Sequence, residues 1–164
     1  MTADHLSASG TGNMKFMLNG GITLGTMDGA NVEIHELVGD KNIYIFGDKS
    51  SDVLSRYEAG NYSPRDYYEK NPSIKRALDF IDSKTLLNLG DKESLKRLKS
   101  EILNKDWFMT LPDFDSYKVT REKAFTDYED RLPWAEKMLI NIASAGFFSS
   151  DRTIAEYNKD IWKI

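Results

Sequence analysis

The sequence contains no cysteine among its 164 residues and only two histidines. Without cysteine there can be no disulfide, no thiolate-ligated zinc and no cysteine nucleophile. The lack of cysteine fits a cytosolic protein, so we expect a cytoplasmic location. No apolar run approaches the ~20 residues that a membrane-spanning helix needs. The polar N-terminus lacks the basic region and the apolar region of a signal peptide.

An excess of charge of one sign is also absent. The 22 Lys and Arg against 26 Asp and Glu give a formal net charge of -4, which favours neither nucleic acid nor an anionic membrane as a partner. His5 and His35 lie far apart in the sequence, and neither belongs to a cluster with ligand spacing. We therefore predict no metal site.

Residues 10–60 show alternating signals for short helices and strands. The pattern predicts strands at residues 22–26 and 42–46, a helix at 30–38 between them, and a further helix at 51–59. Strand, helix and strand at this spacing predict a βαβ unit with a parallel pair. The second strand is nearly all apolar, so we expect it to be buried on both faces.

The remaining two thirds of the chain consist of successive helix signals. Capping residues and prolines predict helix starts at Ser63, Asn71, Asp91, Asp113, Pro133 and Ser150. Helical spacing of apolar residues predicts buried side chains at Ile74, Ala77, Leu78, Ile81, Leu95, Leu98 and Ile102. A tyrosine group at positions 62, 67 and 68 has no interleaved basic residues, which favours packing over base stacking.

The segment with the clearest chemical meaning is Ser9-Gly10-Thr11-Gly12-Asn13-Met14-Lys15. Glycines let backbone N–H groups turn toward an anion, a helix N-terminus adds partial positive charge, and Thr11 can donate its hydroxyl. This pattern is typical of a phosphate cradle. The alternative is a tight turn that enters a helix, and short glycine motifs do not separate the two.

Lys15 follows this loop, in what the sequence predicts to be the first turn of a helix among apolar neighbours. Desolvation and the positive end of a helix both lower the pKa of a lysine, and Schiff-base chemistry requires the neutral amine. A phosphate cradle beside such a lysine suits pyridoxal phosphate. The alternative is a solvent-facing lysine on an amphipathic helix.

Longer motifs decide between these alternatives. The run from Ser9 to Gly20 and the run Gly25-Thr26-Met27-Asp28-Gly29-Ala30-Asn31-Val32-Glu33 closely resemble the cofactor region of the α-glucan phosphorylases, which act on glycogen, starch or maltodextrin. The resemblance continues through Asn42-Ile43-Tyr44-Ile45-Phe46-Gly47 and returns at Phe147-Phe148-Ser149-Ser150-Asp151-Arg152. It covers nearly the whole chain from Ala8 onward.

The resemblance implies a role for each matching residue. Lys15 matches the lysine that forms the Schiff base with pyridoxal phosphate, while Thr11 and Gly12 match the residues that hold the cofactor phosphate. Ser9 and Gly10 match backbone contacts to the reacting glucose. The family reaction is the phosphorolysis of an α-1,4-glucan by inorganic phosphate, which releases glucose 1-phosphate with retention. In that reaction the cofactor phosphate is the acid–base partner of the substrate phosphate.

The resemblance also implies an α/β fold, namely a fragment of a Rossmann-like domain of the glycosyltransferase-B type whose other strands lie upstream. We expect residues 1–8 to be a remnant, vector-derived or truncated, since Ser7 stands where the family has glutamate. Residues 9–60 would form the cofactor-loop βαβ segment, and residues 61–164 the helical C-terminal segment of the same domain.

Three expectations follow for the chain by itself. It should be inactive as a phosphorylase, hold little or no pyridoxal phosphate, and associate with itself, because unpaired edges of apolar strands are templates for pairing. The alternative from a different class is a self-standing, non-catalytic binding or assembly module that has kept the phosphate loop.

Overall fold

The structure, a computed structural model, describes residues 10–163. Within them the strands are β1 (Leu24–Gly25) and β2 (Tyr44–Ile45). The helices are α1 (Thr11–Leu18), α2 (Ala30–Val38), α3 (Ser50–Ala59), α4 (Pro64–Lys70), α5 (Pro72–Ile81), α6 (Lys84–Leu89), α7 (Lys92–Asn104), α8 (Phe114–Glu129), α9 (Arg131–Ser144) and α10 (Ser150–Tyr157). None of these helices combines the length and the apolar character needed to cross a bilayer.

The described chain divides into two compact units. One is the continuous stretch Gly47–Tyr117, and the other combines residues 10–46 with residues 118–163. We call them the middle unit and the βαβ unit. Helix dominates both, and the βαβ unit also contains the two-stranded parallel sheet.

The predicted βαβ arrangement is confirmed. Leu24 pairs with Tyr44 and Gly25 with Ile45 in a parallel register, with α2 between the strands. Each strand is shorter than the five-residue run predicted, because the parallel ladder ends at the bond from the Phe46 amide to the Gly25 carbonyl, 3.0 Å long. Tyr44 is buried but Ile45 is only half-buried, so burial on both faces holds for only part of the predicted strand.

The core of the βαβ unit joins α1, α2, the approach to β2 and the turn after α9. Its buried members are Met17, Ile34, Val38, Ile43 and Ala145, with Leu37, Ile45 and Phe148 packed against them. Met17 and Ile34 are completely buried. Full burial of such a side chain contributes roughly 1.5–3 kcal/mol, so this cluster is what holds α1 to the rest of the unit.

Side-chain caps set the helix boundaries of the middle unit. The side chains of Ser63, Asn71 and Asp91 accept backbone N–H groups at the starts of α4, α5 and α7, as predicted. The structure corrects one cap in the βαβ unit, since Ser149 rather than Ser150 caps α10 and accepts from the Arg152 amide. It also adds α6, capped by Ser83, which the sequence analysis did not predict.

The predicted buried stripe of α5 is only partly correct. Ile74 and Leu78 are buried and pack with Leu111, but Ala77 is exposed, and so is Leu98 of α7. The other side chains packed against this cluster come from α4, α7, the end of α5 and the start of α8.

Asp106 is a buried acceptor in the middle unit, 6% exposed. Its carboxylate accepts the Tyr62 hydroxyl, the Thr110 hydroxyl at 2.6 Å and the Leu111 amide at 3.0 Å. Burial, together with this bond to Asp106, raises the pKa of Tyr62 above its ordinary range. The Tyr62 ring also packs at 5.6 Å from the Tyr67 ring, so the predicted packing role of the tyrosine group is confirmed.

Candidate functional site

The first helix brings three of the predicted site residues onto one face. Thr11 and Gly12 lie one turn before Lys15, and residues three and four apart are neighbours on a helix surface. All three residues are exposed. Of the other two predicted site residues, Gly10 directly precedes the helix and Ser9 lies outside the described residues. We call the surface formed by Thr11, Gly12 and Lys15 the outer face of α1.

Gly10 has a packing role that the sequence did not reveal. It is the N-cap of α1, with a left-handed φ of 69°. A Cβ at this position would lie 2.5 Å from the Cβ of Ala30, at the start of α2. Glycine is therefore required here both by the turn and by the close approach of the two helix starts.

The opposite face of α1 holds the helix in place. Asn13 and Met17 are one turn apart on this inner face, and Met17 is completely buried. The Asn13 Nδ2 donates to the Asn31 Oδ1 at 2.8 Å, and the Asn31 Nδ2 donates to the Thr26 carbonyl at 2.9 Å. A hydrogen-bonded chain thus links α1, α2 and the loop after β1.

The structure corrects the expected surroundings of Lys15. Lys15 lies in the last turn of α1 rather than in the first, because the helix begins at Thr11, inside the glycine motif. Its side chain is exposed although its apolar neighbour Met17 is buried, since the two side chains point to opposite sides of the helix. Lys15 therefore has neither the position at the helix N-terminus nor the burial that the sequence analysis expected.

The N-terminal end of α1 fits a phosphate group. The first N–H groups of a helix have no acceptor one turn earlier, and they carry partial positive charge. A Cβ at Gly12 would meet nothing within 4 Å, so a ligand atom can approach the backbone there. The side chain of Lys15 stands one turn away on the same face, and no carboxylate among residues 10–163 forms an ion pair with it.

His35 is the histidine that the structure describes, and its side chain faces an aspartate. His35 pairs with Asp40 at 2.5 Å across the end of α2. His5 lies outside the described residues. Between residues 10 and 163 no group of three or more His, Asp or Glu side chains could hold a metal ion.

The βαβ unit also contains an open groove of about 580 Å³, away from α1. Its lining includes three lysines, at positions 41, 123 and 137. The Lys123 amine is paired with Asp127 at 2.6 Å, and the Lys137 amine donates to the Lys41 carbonyl. None of Thr11, Gly12 and Lys15 lines the groove, so it is separate from the predicted phosphate site.

Sequence reasoning missed the residues that position α1. Asn13 and Asn31 both lie within the motifs that carry the family resemblance, but their side chains meet only in the folded chain, 18 positions apart. Asn31 is 7% exposed, and a buried asparagine needs hydrogen-bond partners for its amide. The sequence alone does not reveal that Asn31 is buried, so it could not point to this contact.

Comparison with known proteins identifies what the α1 motif belongs to. The family model described as carbohydrate phosphorylase matches residues 2–164. The maltodextrin phosphorylase of Streptococcus pneumoniae is 57% identical over 157 residues, which are 96% of this chain and 21% of that protein. The glycogen phosphorylase of Bacillus subtilis is 46% identical over 161 residues, or 96% of this chain and 20% of that protein.

A vertebrate relative gives the same result. The liver form of glycogen phosphorylase from Bos taurus is 45% identical over 157 residues, which are 96% of this chain and 18% of that protein. The chain thus spans about a fifth of the length of the curated relatives it matches. Because the family model extends over nearly every residue, the chain belongs to the carbohydrate phosphorylase family.

Proposed function

We propose that this chain is the segment of an α-glucan phosphorylase that holds pyridoxal phosphate, and that the complete enzyme cleaves glycogen or a related α-1,4-glucan with inorganic phosphate to release glucose 1-phosphate. The observation that carries the proposal is the outer face of α1, where Thr11 and Gly12 lie in the first turn, at the end of the helix that attracts anions, and Lys15 lies one turn further along. Relatives named as glycogen and maltodextrin phosphorylases support the reaction class.

Each residue of the outer face has one task in this proposal. The Thr11 hydroxyl and the Gly12 amide bind the cofactor phosphate, aided by the positive end of the α1 dipole. The Lys15 amine holds the cofactor covalently, one turn further along the helix. Ser9 and Gly10 contribute backbone contacts to the reacting glucose. When bound, the cofactor supplies a phosphate group that exchanges a proton with the substrate phosphate.

The exposure of the outer face explains why we propose that the chain is inactive alone. Covalent attachment of the cofactor requires a lysine amine that is desolvated or lies beside other cations. The described residues packed around α1 face its other side, so they do not enclose Lys15. The groups that enclose the outer face would therefore come from the rest of the enzyme, as would the other strands of a Rossmann-like, glycosyltransferase-B-type domain.

A segment exchange tests this function. The matching segment of the Streptococcus pneumoniae maltodextrin phosphorylase is replaced by this chain, and the product is assayed for glucose 1-phosphate from maltodextrin and phosphate. We expect activity in the exchanged enzyme and none in the 164-residue chain alone, because only the exchanged enzyme encloses Lys15. A folded exchanged enzyme without activity, or glucose 1-phosphate formed by the pure chain, would contradict the proposal.

We further propose that the isolated chain associates with itself, through exposed apolar side chains rather than through unpaired strand edges. Two-residue strands are poor templates for edge pairing, so the exposed apolar side chains of the βαβ unit carry the expectation instead. Those more than half exposed are Phe16, Leu18, Phe125, Val119, Leu132, Leu139, Ile154, Ile161 and Trp162. Light scattering over a concentration series should show a mass above that of the 18.7 kDa monomer. A constant monomer mass at high micromolar concentration would reject the expectation.

A further inference from the structure

Asn31 is a buried polar residue at the junction of three elements. It is the second residue of α2 and is 7% exposed. Its Nδ2 donates to the Thr26 carbonyl at 2.9 Å, and its Oδ1 accepts the Asn13 Nδ2 at 2.8 Å. The side chain therefore uses both ends of its amide, one toward the loop after β1 and one toward α1.

The backbone around Asn31 leaves room for this amide. A Cβ at Gly25, in β1, would lie 2.6 Å from the Asn31 Nδ2. Any larger residue at position 25 would displace the donor from the Thr26 carbonyl. Because the Thr26 bond fixes which end of the amide points to the loop, it also fixes the oxygen as the end offered to Asn13.

The bond to Asn13 controls a property of α1 that apolar packing leaves open. Met17 anchors the inner face of α1, but burial of an apolar side chain is non-directional and sets the rotation of the helix about its axis only within a broad range. A hydrogen bond has a narrow range of length and angle, so Asn13 sets that rotation near the N-terminal end. Thr11 and Lys15 project from the opposite side of the same short helix.

We propose that Asn31 is a positioning residue for the outer face of α1, acting through the side chain of Asn13. It holds the helix at the rotation at which Thr11, Gly12 and Lys15 point away from α2 and toward a bound phosphate-bearing ligand. The inference rests on the function proposed above in its choice of ligand, whereas the fixed rotation of α1 rests on the contacts of Asn31 alone.

The first experiment measures α1 in the 164-residue chain by hydrogen exchange and mass spectrometry, on peptides that contain residues 14–18. The variants are Asn13→Ala, Asn31→Ala and the double variant. We expect exchange in α1 to accelerate roughly 3- to 10-fold in each single variant, as the loss of one hydrogen bond allows. The double variant should add little to Asn31→Ala, because both substitutions remove the same contact.

Asn42→Ala is the matched control. Asn42 is half-buried in the βαβ unit, as Asn13 is, and its Nδ2 donates to the Val38 carbonyl at 2.7 Å, at the far end of α2. This variant loses one side-chain hydrogen bond of the same type and should leave exchange in α1 unchanged. Equal acceleration in Asn42→Ala and Asn31→Ala, or unchanged exchange in both Asn13→Ala and Asn31→Ala, would overturn the proposal.

The second experiment uses pyridoxal phosphate itself as the probe, in the exchanged enzyme described above. A fluorescence titration should show its dissociation constant rising roughly 3- to 10-fold in Asn13→Ala and Asn31→Ala, by the same lost bond, and unchanged in Asn42→Ala. Faster exchange in α1 with an unchanged dissociation constant would overturn the positioning role. If the unmutated exchanged enzyme binds no pyridoxal phosphate, the proposed function fails, and the α1 exchange then decides whether Asn31 orients that face.

Discussion

Replacing Lys15 by alanine in the exchanged enzyme is expected to abolish covalent attachment of pyridoxal phosphate. Borohydride reduction followed by peptide mapping should find the label on Lys15 in the parent and background labelling in Lys15→Ala. Release of glucose 1-phosphate should fall by at least ~10³-fold, within the range seen when a residue that forms a covalent bond in an active site is removed. Lys15→Arg should behave in the same way, since it keeps the charge but has no amine able to form the bond.

The stability of the fold should be nearly unchanged by the loss of the Lys15 side chain. Lys15 is exposed in α1, and surface substitutions of this kind change the free energy of unfolding by no more than about 0.5 kcal/mol. Lys41→Ala is the matched control, because Lys41 is an exposed lysine of the same unit and lies away from α1. It should retain both label and activity. A stoichiometric label on another lysine in Lys15→Ala would contradict the assignment.

Local signals predicted most of the helices. The caps at Ser63, Asn71 and Asp91 and the glycines that end α2 and α3 act within a few residues, so the sequence alone contains the information needed to place them. Burial was predicted less well, because the burial of a side chain depends on which other helices and strands pack against its own element. Ala77 follows the helical period of its stripe and is nevertheless exposed.

In the candidate site, too, local sequence signals predicted which residues are involved but not their surroundings. The motif from Ser9 to Lys15 led to Thr11, Gly12 and Lys15, and the helix places these three on one face. The motif could not show that α1 begins at Thr11, and this one boundary moved Lys15 from the first turn to the last. Nor could it show that Asn13 faces inward to Asn31, since that contact joins residues 18 apart. The environment of a residue, unlike its type, is a property of the folded chain.

The same substitution at the two glycines of the motif is expected to have opposite effects on stability. Gly10→Ala places a Cβ in a left-handed conformation, which costs about 1–2 kcal/mol, and brings it to 2.5 Å from the Ala30 Cβ. Relieving that overlap shifts α1 away from α2 and costs typically a further ~1–3 kcal/mol. Gly12→Ala has no such neighbour and lies in the first turn of α1, where we expect alanine to be favoured over glycine by at most about 1 kcal/mol.

Urea unfolding of the 164-residue chain, followed by circular dichroism, compares the two variants directly. We expect a lower midpoint for Gly10→Ala and a higher midpoint for Gly12→Ala. In the exchanged enzyme, the effect of Gly12→Ala on ligand binding should be opposite to its effect on stability. The added methyl group lies on the outer face of α1, where the phosphate would bind. Gly12→Ala should then weaken pyridoxal phosphate binding while stabilising the fold. Equal destabilisation by both substitutions would show that the contact between Gly10 and Ala30 does not determine how α1 packs, and unchanged pyridoxal phosphate binding in Gly12→Ala would remove Gly12 from the proposed phosphate site.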